Sequence, residues 1–346
     1  MTSFIQFTDR QVGGDAPPYI IAEVGVNHDG SLDRAIELVR AASSAGVDGV
    51  KFQWFNAEQL VVEGAGTAEY QKATTSSDQR SMLAALELGR DEMARLVEVA
   101  HQEQLHALVT VFCESLVGEA AELEWDAWKC ASPDLVHRPL LDRLAADGRP
   151  LILSTGAASM SEVARANHWL QDSPVAFLQC VSAYPTPEPE AALGGIEALS
   201  METGRPCGYS DHTGEETTGG LAVAAGAVIL EKHFTHDRAA LGPDHAASLE
   251  VDGLARYVEF AHRAHRAMGP RGSKHLQDRE HDVREVARQS LRAARALAEG
   301  TVLCEGDLVV KRPADGLEPW RLEELLGRRL VRSLSFEEAV NPGDVE

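Results

Sequence analysis

Two histidines, two lysines and a scatter of hydroxyls carry the chemistry that can be read from this sequence. His212 stands in Gly208-Tyr209-Ser210-Asp211-His212-Thr213 and His233 in Glu231-Lys232-His233-Phe234-Thr235. Each falls just after an apolar run of strand type, with an Ala-rich helical stretch at 221–225 between them. Two imidazoles at the ends of neighbouring strands can share one divalent cation, because a neutral His nitrogen is the commonest protein ligand for such ions. A pair of His ligands leaves coordination positions open, which suits a catalytic site better than a closed structural one. A lone strand-end His is ordinarily a satisfied polar residue, so the pair matters only if the fold brings the two strands together. His236 and His245 stand in reserve as ligands. Lys51 and Lys129 each interrupt an apolar run, Val50-Lys51-Phe52-Gln53 and Trp128-Lys129-Cys130. A buried ammonium must meet an anion or lose its proton. Either each lysine pairs with a buried Glu such as Glu23 or Glu231, or together they form an anion pocket.

The rest of the chain alternates short apolar runs with longer amphipathic ones. Strand-type runs at 19–26, 47–53, 105–112, 127–131, 151–155 and 175–181 join the two that end at His212 and His233. Helical patterns follow at 32–45, from 91, at 116–123, 135–146, 160–170, 192–201 and 254–268. Eight strand–helix units predict parallel strands closed into a (β/α)8 TIM barrel over residues 1–268; an open doubly wound sheet is the alternative. The interval 54–89, polar apart from a helical pattern at 82–88, reads as a lid or an oligomer contact on the barrel's functional face. A polar stretch at 269–289 reads as a linker. Residues 290–346 read as a small β-rich module with strand-type runs at 302–303, 308–311 and 330–333.

Barrel enzymes keep their chemistry at the C-terminal strand ends. Those ends carry Glu23, Asn27, Gln53, Thr110, Ser132, Ser154, Tyr184 and Ser210 beside the two lysines and two histidines. Two inward lysines with a ring of hydroxyls describe a pocket for phosphate and carboxylate. Lys and Arg number 32 against 54 Asp and Glu, a formal net charge of −22, so nucleic acid and anionic membrane are excluded as partners and any counter-charge for an anion must be local. The five cysteines form no Cys-x-x-Cys pair and mostly sit in apolar runs, as reduced thiols of a cytoplasmic protein do. Neither a secretion signal nor a bilayer-spanning run is present in the sequence, and no Gly-rich nucleotide fingerprint follows a strand.

With these residues in place, the chain resembles the sialic acid synthases, the phosphoenolpyruvate-condensing nonulosonate synthases. The likeness runs through Ile21-Ala22-Glu23-Val24-Gly25-Val26-Asn27-His28-Asp29-Gly30, Val50-Lys51-Phe52-Gln53, Leu153-Ser154-Thr155-Gly156, Tyr184-Pro185-Thr186-Pro187, Ser210-Asp211-His212-Thr213 and Glu231-Lys232-His233-Phe234-Thr235. Lys311-Arg312-Pro313 and Gly327 resemble the antifreeze-like (SAF) domain that follows the barrel in that family. The resemblance implies condensation of phosphoenolpyruvate with an open-chain N-acylated hexosamine, releasing phosphate. It implies that Lys51, Lys129, Thr110, Ser132, Ser154, Ser182 and Ser210 hold phosphoenolpyruvate. Gln53, Tyr184 and Asp244 would contact the sugar, and Glu23 and Asp134 would lie near the reacting carbons. His212 and His233 would bind manganese or magnesium. Arg312 would reach the sugar site of the partner subunit in a domain-swapped homodimer.

Some positions depart from the family pattern. Cys130-Ala131-Ser132-Pro133-Asp134 stands where Ser-Gly-Glu or Ser-Gly-Asp is common, and Pro133 fixes φ where Gly is free. Thr110 is followed by Val111 where Pro is usual, Ser182 replaces Asn of some members, and Ala314 replaces Gly. Gly242-Pro243-Asp244-His245 is closer to the neuraminate and legionaminate branches than to the pseudaminate one. The rival readings are a Schiff-base aldolase using Lys129 or Lys51, and a carbohydrate-binding role for the C-terminal module alone.

Overall fold

The chain begins with a hairpin, β1 (Phe4–Gln6) and β2 (Gln11–Gly13), that the sequence pattern did not reveal. Runs of Val, Ile, Leu and Ala then form β3 (Tyr19–Gly25), β4 (Gly49–Trp54), β5 (His106–Val111) and β6 (Ala127–Cys130). They continue as β7 (Leu151–Ser154), β8 (Val175–Cys180), β9 (Cys207–Asp211) and β10 (Ile229–His233). In this computed structural model, which describes residues 4–63, 65, 78–270 and 274–346, all eight from β3 to β10 pair in parallel. The barrel closes where β10 meets β3, so the TIM-barrel expectation holds. The outer helices lie within a few residues of their sequence patterns, from Leu32–Ser44 to Val251–Met268. Ser31 and Ser159 cap two of them by accepting from backbone N–H groups of the first turn.

Period-two alternation along the strands sorts side chains into layers. Outward residues such as Ile20, Ala22, Val50, Trp128 and Leu230 pack against the helices. Inward residues Tyr19, Ile21, Leu108, Ala127, Ile152, Leu178 and Ile229 fill the barrel, together with Ile5, Phe7 and Val12 from the hairpin. Two residues further along the same strands the inward positions turn polar. Ile21 is followed by Glu23, Leu108 by Thr110, Ala127 by Lys129, Ile152 by Ser154 and Ile229 by Glu231.

One charged pair points the other way. Lys232 and Asp211, both fully buried, meet at 3.2 Å outside the barrel wall. Lys232 Nζ also donates to the Thr213 carbonyl at 2.6 Å and lies 5.4 Å from the centre of the Tyr257 ring. Asp211 Oδ1 accepts from Thr213 N and Oγ1, both at 2.8 Å. This clamp joins the two strand ends that carry His212 and His233.

The chain divides into two compact units, Met1–Arg271 and Gly272–Glu346. In the second, β11 (Ser290–Ala293) pairs antiparallel with β12 (Leu308–Lys311) around Leu291, Leu297, Leu317, Leu330 and Val340. The runs at 302–303 and 330–333 are not full strands: they make isolated bridges, Val302 with Arg329 and Leu330 with Val345, because turns interrupt the ladder on both sides. The stretch read as a linker contains a short helix, His281–Ala287, whose Glu285 carbonyl accepts from Ala314 N. Of the interval 54–89, the helices Ala57–Leu60 and Gln79–Ala84 are described, the second three residues ahead of the helical pattern at 82; residues 64 and 66–77 lie outside the described residues. Among the described residues no helix is long and apolar enough to cross a membrane.

Asp211→Asn should destabilise the protein by about 3–5 kcal/mol, because it strands the Lys232 ammonium in the wall. Adding Lys232→Met should recover part of that loss. Urea unfolding of the single and double variants measures both, and an unchanged midpoint for Asp211→Asn would show that the pair contributes nothing.

Candidate active site

The inward polar layer holds four charges. Lys51 Nζ lies 3.0 Å from Glu23 Oε2 and 3.7 Å from Glu231 Oε2, and Lys129 Nζ lies 3.8 Å from Glu231 Oε1. The lysines pair with Glu23 and Glu231, as the first of the two sequence readings has it, and both also line a cavity. Hydroxyls complete the shell: Lys51 donates to Thr110 Oγ1 at 3.1 Å, Lys129 to Ser154 Oγ at 2.6 Å, and Ser210 to Glu231 Oε1 at 2.9 Å. Gln53 donates to Glu23 Oε1 at 2.9 Å. Burial pulls Lys51 down, but Glu23 and Glu231 outweigh it and leave its pKa above the ordinary lysine value. For Lys129 burial wins and the pKa falls, Glu231 opposing it. Burial raises the Glu23 carboxyl to about 7, against the pull of Lys51. Glu231, held between two lysines, is shifted down in spite of its own desolvation.

The histidines sit beside this layer. Their ring centres are 5.4 Å apart, and the Tyr184 ring lies over His212 at 4.1 Å. The Val181 carbonyl is 2.7 Å from His212 Nδ1. A carbonyl only accepts, so Nδ1 carries the proton and Nε2 is the nitrogen that would face a metal. Burial pulls the His212 pKa down, but Cys180, the Val181 carbonyl and Glu231 outweigh it and leave it above the ordinary histidine value, so a cation at Nε2 would have to displace a proton. His233 Nδ1 is buried without a hydrogen-bond partner, 3.6 Å from Asp244 Oδ2. Burial, with His212 and the lysines nearby, pushes His233 well below its ordinary pKa and favours the neutral ligand form. These two rings fit a divalent cation. Among the described residues no group of three or more His, Cys, Asp or Glu forms a complete cage, so a bound ion would draw further ligands from substrate or water.

Next to Cys180, whose Sγ is 3.8 Å from His212 Nδ1, the backbone N–H of Gly156 donates to Ser132 Oγ at 2.9 Å. A Cβ at Gly156 would stand 2.3 Å from Ser182 Oγ and 3.0 Å from Cys180 Sγ, so only glycine lets this turn approach the hydroxyls. The charged, hydroxyl and imidazole side chains of this layer line one cavity of about 380 Å³ at the C-terminal strand ends, with Gly156 packed behind Ser132 and Ser182. The profile of the NeuB family matches residues 38–273, most of the chain. The chain belongs to the NeuB family.

It is an enzyme of the sialic-acid-synthase type, and residues 288–346 match the SAF domain. It is 36% identical to N,N'-diacetyllegionaminic acid synthase of Legionella pneumophila over 95% of this chain and 96% of that one. It is 31% identical to the human N-acetylneuraminate-9-phosphate synthase over 96% and 93% of the two chains. The crystal structure of N-acetylneuraminic acid synthetase from Leptospira borgpetersenii, in complex with citrate, superposes with a TM-score of 0.74 at 32% identity, covering 81% of this chain and 96% of that chain.

Of the residues singled out in the sequence of this NeuB-family chain, the cavity gathers Glu23, Lys51, Gln53, Thr110, Lys129, Ser132, Ser154, Ser182, Tyr184, Ser210, His212, His233 and Asp244. Asp134 does not line it: in the 3-10 turn Ser132–Val136, Ser132 and Pro133 face the cavity and Asp134 falls beyond them. Arg312 lies exposed in the second unit, just past β12. Asn27 serves structure, donating to the Phe234 carbonyl and to Ser248 Oγ. The reserve ligands also fall away, since His245 is engaged by Thr235 and Asp29, and His236 is exposed outside the cavity lining. Sequence reasoning missed Glu231 and Cys180 as cavity residues. Glu231 and Cys180 could have been found by counting two positions beyond an inward apolar residue.

Glu231→Gln should strengthen binding of inorganic phosphate at neutral pH by removing a carboxylate from the pocket. Without that carboxylate Lys129 should deprotonate at lower pH, so the alkaline loss of phosphate binding should also move to lower pH. Calorimetric titration across pH measures both, and an unmoved alkaline limb would remove Glu231 from this role.

Proposed function

We propose that this enzyme condenses phosphoenolpyruvate with the open-chain aldehyde of an N-acylated hexosamine of the N-acetylmannosamine type, giving a sialic-acid-like nonulosonate and phosphate. The observation that carries the reading is the buried Lys51 and Lys129, ringed by hydroxyls and set beside two imidazoles in one cavity. The names of the relatives point to the same class of product.

In this reading Lys51, Lys129 and the hydroxyls of Thr110, Ser132, Ser154, Ser182 and Ser210 hold the phosphate and carboxylate of phosphoenolpyruvate. Gln53, Tyr184 and Asp244 meet the sugar. A divalent cation, manganese or magnesium, on His212 and His233 would supply Lewis-acid polarisation of the aldehyde oxygen. The site's walls align C3 of the enol with the aldehyde carbon, so the new C–C bond forms between groups already in place. The aldehyde oxygen takes up a proton, C2 gains positive character, and water adds there. Glu23, with its raised pKa, is suited to take the proton of that water near neutral pH. The tetrahedral adduct then breaks the C2–O bond that bridges to phosphorus, its new hydroxyl gives its proton to the departing phosphate to leave a carbonyl at C2, and the phosphate departs against the two ammonium groups.

The test is phosphate release. It should require both phosphoenolpyruvate and an N-acyl hexosamine, stop on chelation and return with manganese or magnesium. With ¹⁸O in the bridging oxygen, the label should leave with phosphate. Label kept in the sugar product would exclude C–O cleavage, and trapping of pyruvate on a lysine by borohydride would favour the Schiff-base aldolase instead.

The same reading assigns the enzyme a domain-swapped dimer in which the partner subunit's Arg312 contacts the sugar. Arg312→Ala and His212→Ala should each be nearly inactive alone. Equal mixing with subunit exchange should restore roughly a quarter of parent activity, because about half the dimers are mixed and each of those has one whole site. No recovery after verified exchange would reject the swap.

A further inference from the structure

Strands β9 and β10 pair at Tyr209 with Leu230, Ser210 with Glu231 and Asp211 with Lys232. His212 and His233 each come one residue after the last of these rungs, so the β9–β10 ladder does not fix their separation. Each is anchored on its far side instead. The His212 carbonyl accepts from Thr186 N at 2.9 Å, and its ring meets the Val181 carbonyl past β8. His233 pairs with Glu23 of β3, and its carbonyl accepts from Leu249 N at 2.9 Å. With Nδ1 lacking a hydrogen-bond partner, the His233 ring takes its direction from packing and from the backbone that carries it.

What spans the gap between the two strand ends lies outside the barrel wall, and Thr213 is its centre. Thr213 N and Oγ1 both donate to Asp211 Oδ1, while the Thr213 carbonyl accepts from Lys232 Nζ at 2.6 Å. Its Oγ1 also lies 3.3 Å from that Nζ and 3.0 Å from Thr218 Oγ1. Asp211, Thr213, Thr218 and Lys232 are all fully buried. Thr213 directly follows His212, and Lys232 directly precedes His233. Shifting one strand end against the other would therefore pull apart charged hydrogen bonds away from water, which makes the spacing stiff. Asp211, Thr213 and Lys232 do not line the cavity, so they act on it through the backbone.

We propose that Thr213 is a positioning residue for the divalent cation. With Asp211 and Lys232 it holds the His212 and His233 imidazoles at the separation that lets both meet one ion, while touching neither ion nor substrate. This rests on the cation reading of the two histidines given above. Ligands placed in advance lose less freedom on binding, so the cost of loosening them falls on ion affinity.

The full chain, stripped of metal and free of substrate, should be titrated with manganese at one fixed pH, the free ion being followed by its electron paramagnetic resonance signal. Thr213→Val removes the hydroxyl at nearly constant volume and should weaken manganese binding about tenfold, whereas Thr213→Ser should stay within about threefold of the parent. Asp211→Asn combined with Lys232→Met removes the ion pair without altering net charge. It should weaken binding likewise, and it carries the test if Thr213→Val misfolds. Leu140→Ala, a core truncation in the helix Arg138–Ala146, should lower the urea midpoint yet bind manganese as the parent does. Parent-like affinity in both Thr213→Val and the double variant would overturn the positioning role and leave the ligands in place. Equal weakening in Leu140→Ala would also overturn it, by tracing the effect to general stability. No manganese binding by the parent, or parent-like binding by His212→Ala, would remove the cation reading and this inference together.

Discussion

Four charges buried in one layer of a barrel set the terms for the rest of the unit. Lys51 and Lys129 cannot remain ammonium groups away from water unless carboxylates stand beside them. Glu23 and Glu231 do so at 3.0 to 3.8 Å, and the layer is neutral as it stands. Glu231 is shared between the two lysines at 3.7 and 3.8 Å, beyond direct hydrogen-bond reach, while Lys51 and Glu23 meet closely at 3.0 Å. The field of this layer is local even in a strongly acidic protein, because its charges are paired within the barrel.

The layer below makes this possible. Ile21, Leu108, Ala127, Ile152 and Ile229 close the barrel interior, and the N-terminal hairpin seals its floor with Phe7 and Val12. Water is thereby kept to the C-terminal mouth, where the polar groups face it. The Asp211–Lys232 clamp acts from outside the wall, holding β9 and β10 together next to His212 and His233. An inward hydrogen bond and an outward ion pair thus alternate along the same two strands, Ser210 with Glu231 inward, Lys232 with Asp211 outward, as the pleat dictates.

Much of this was legible in the sequence. Eight apolar runs spaced by amphipathic stretches dictate parallel strands with helical crossovers, and right-handed crossovers close eight such units into a barrel. A lysine within an apolar run marks a position that must be compensated, so Lys51 and Lys129 announced themselves, as did the histidines that end two strands. The N-terminal hairpin escaped because three-residue strands carry no periodicity, and the runs at 302–303 and 330–333 looked like strands because local β preference says nothing of pairing.

Only the tertiary structure decided which polar residues share the cavity. Asp134 lies two residues past Ser132 in the chain, yet the 3-10 turn that Pro133 helps to set carries it away from the cavity lining. His245 stands next to Asp244 in sequence, but its ring turns to Thr235 and Asp29 and is spent on structure. Glu231 was visible as a charge but not as the bridge between two lysines, because that depends on the stagger of β10 against strands far from it in sequence. Residue type and spacing determine that a barrel of this chain must carry charge at its mouth. Which charges meet is set by barrel closure and strand register, properties of all eight strands together.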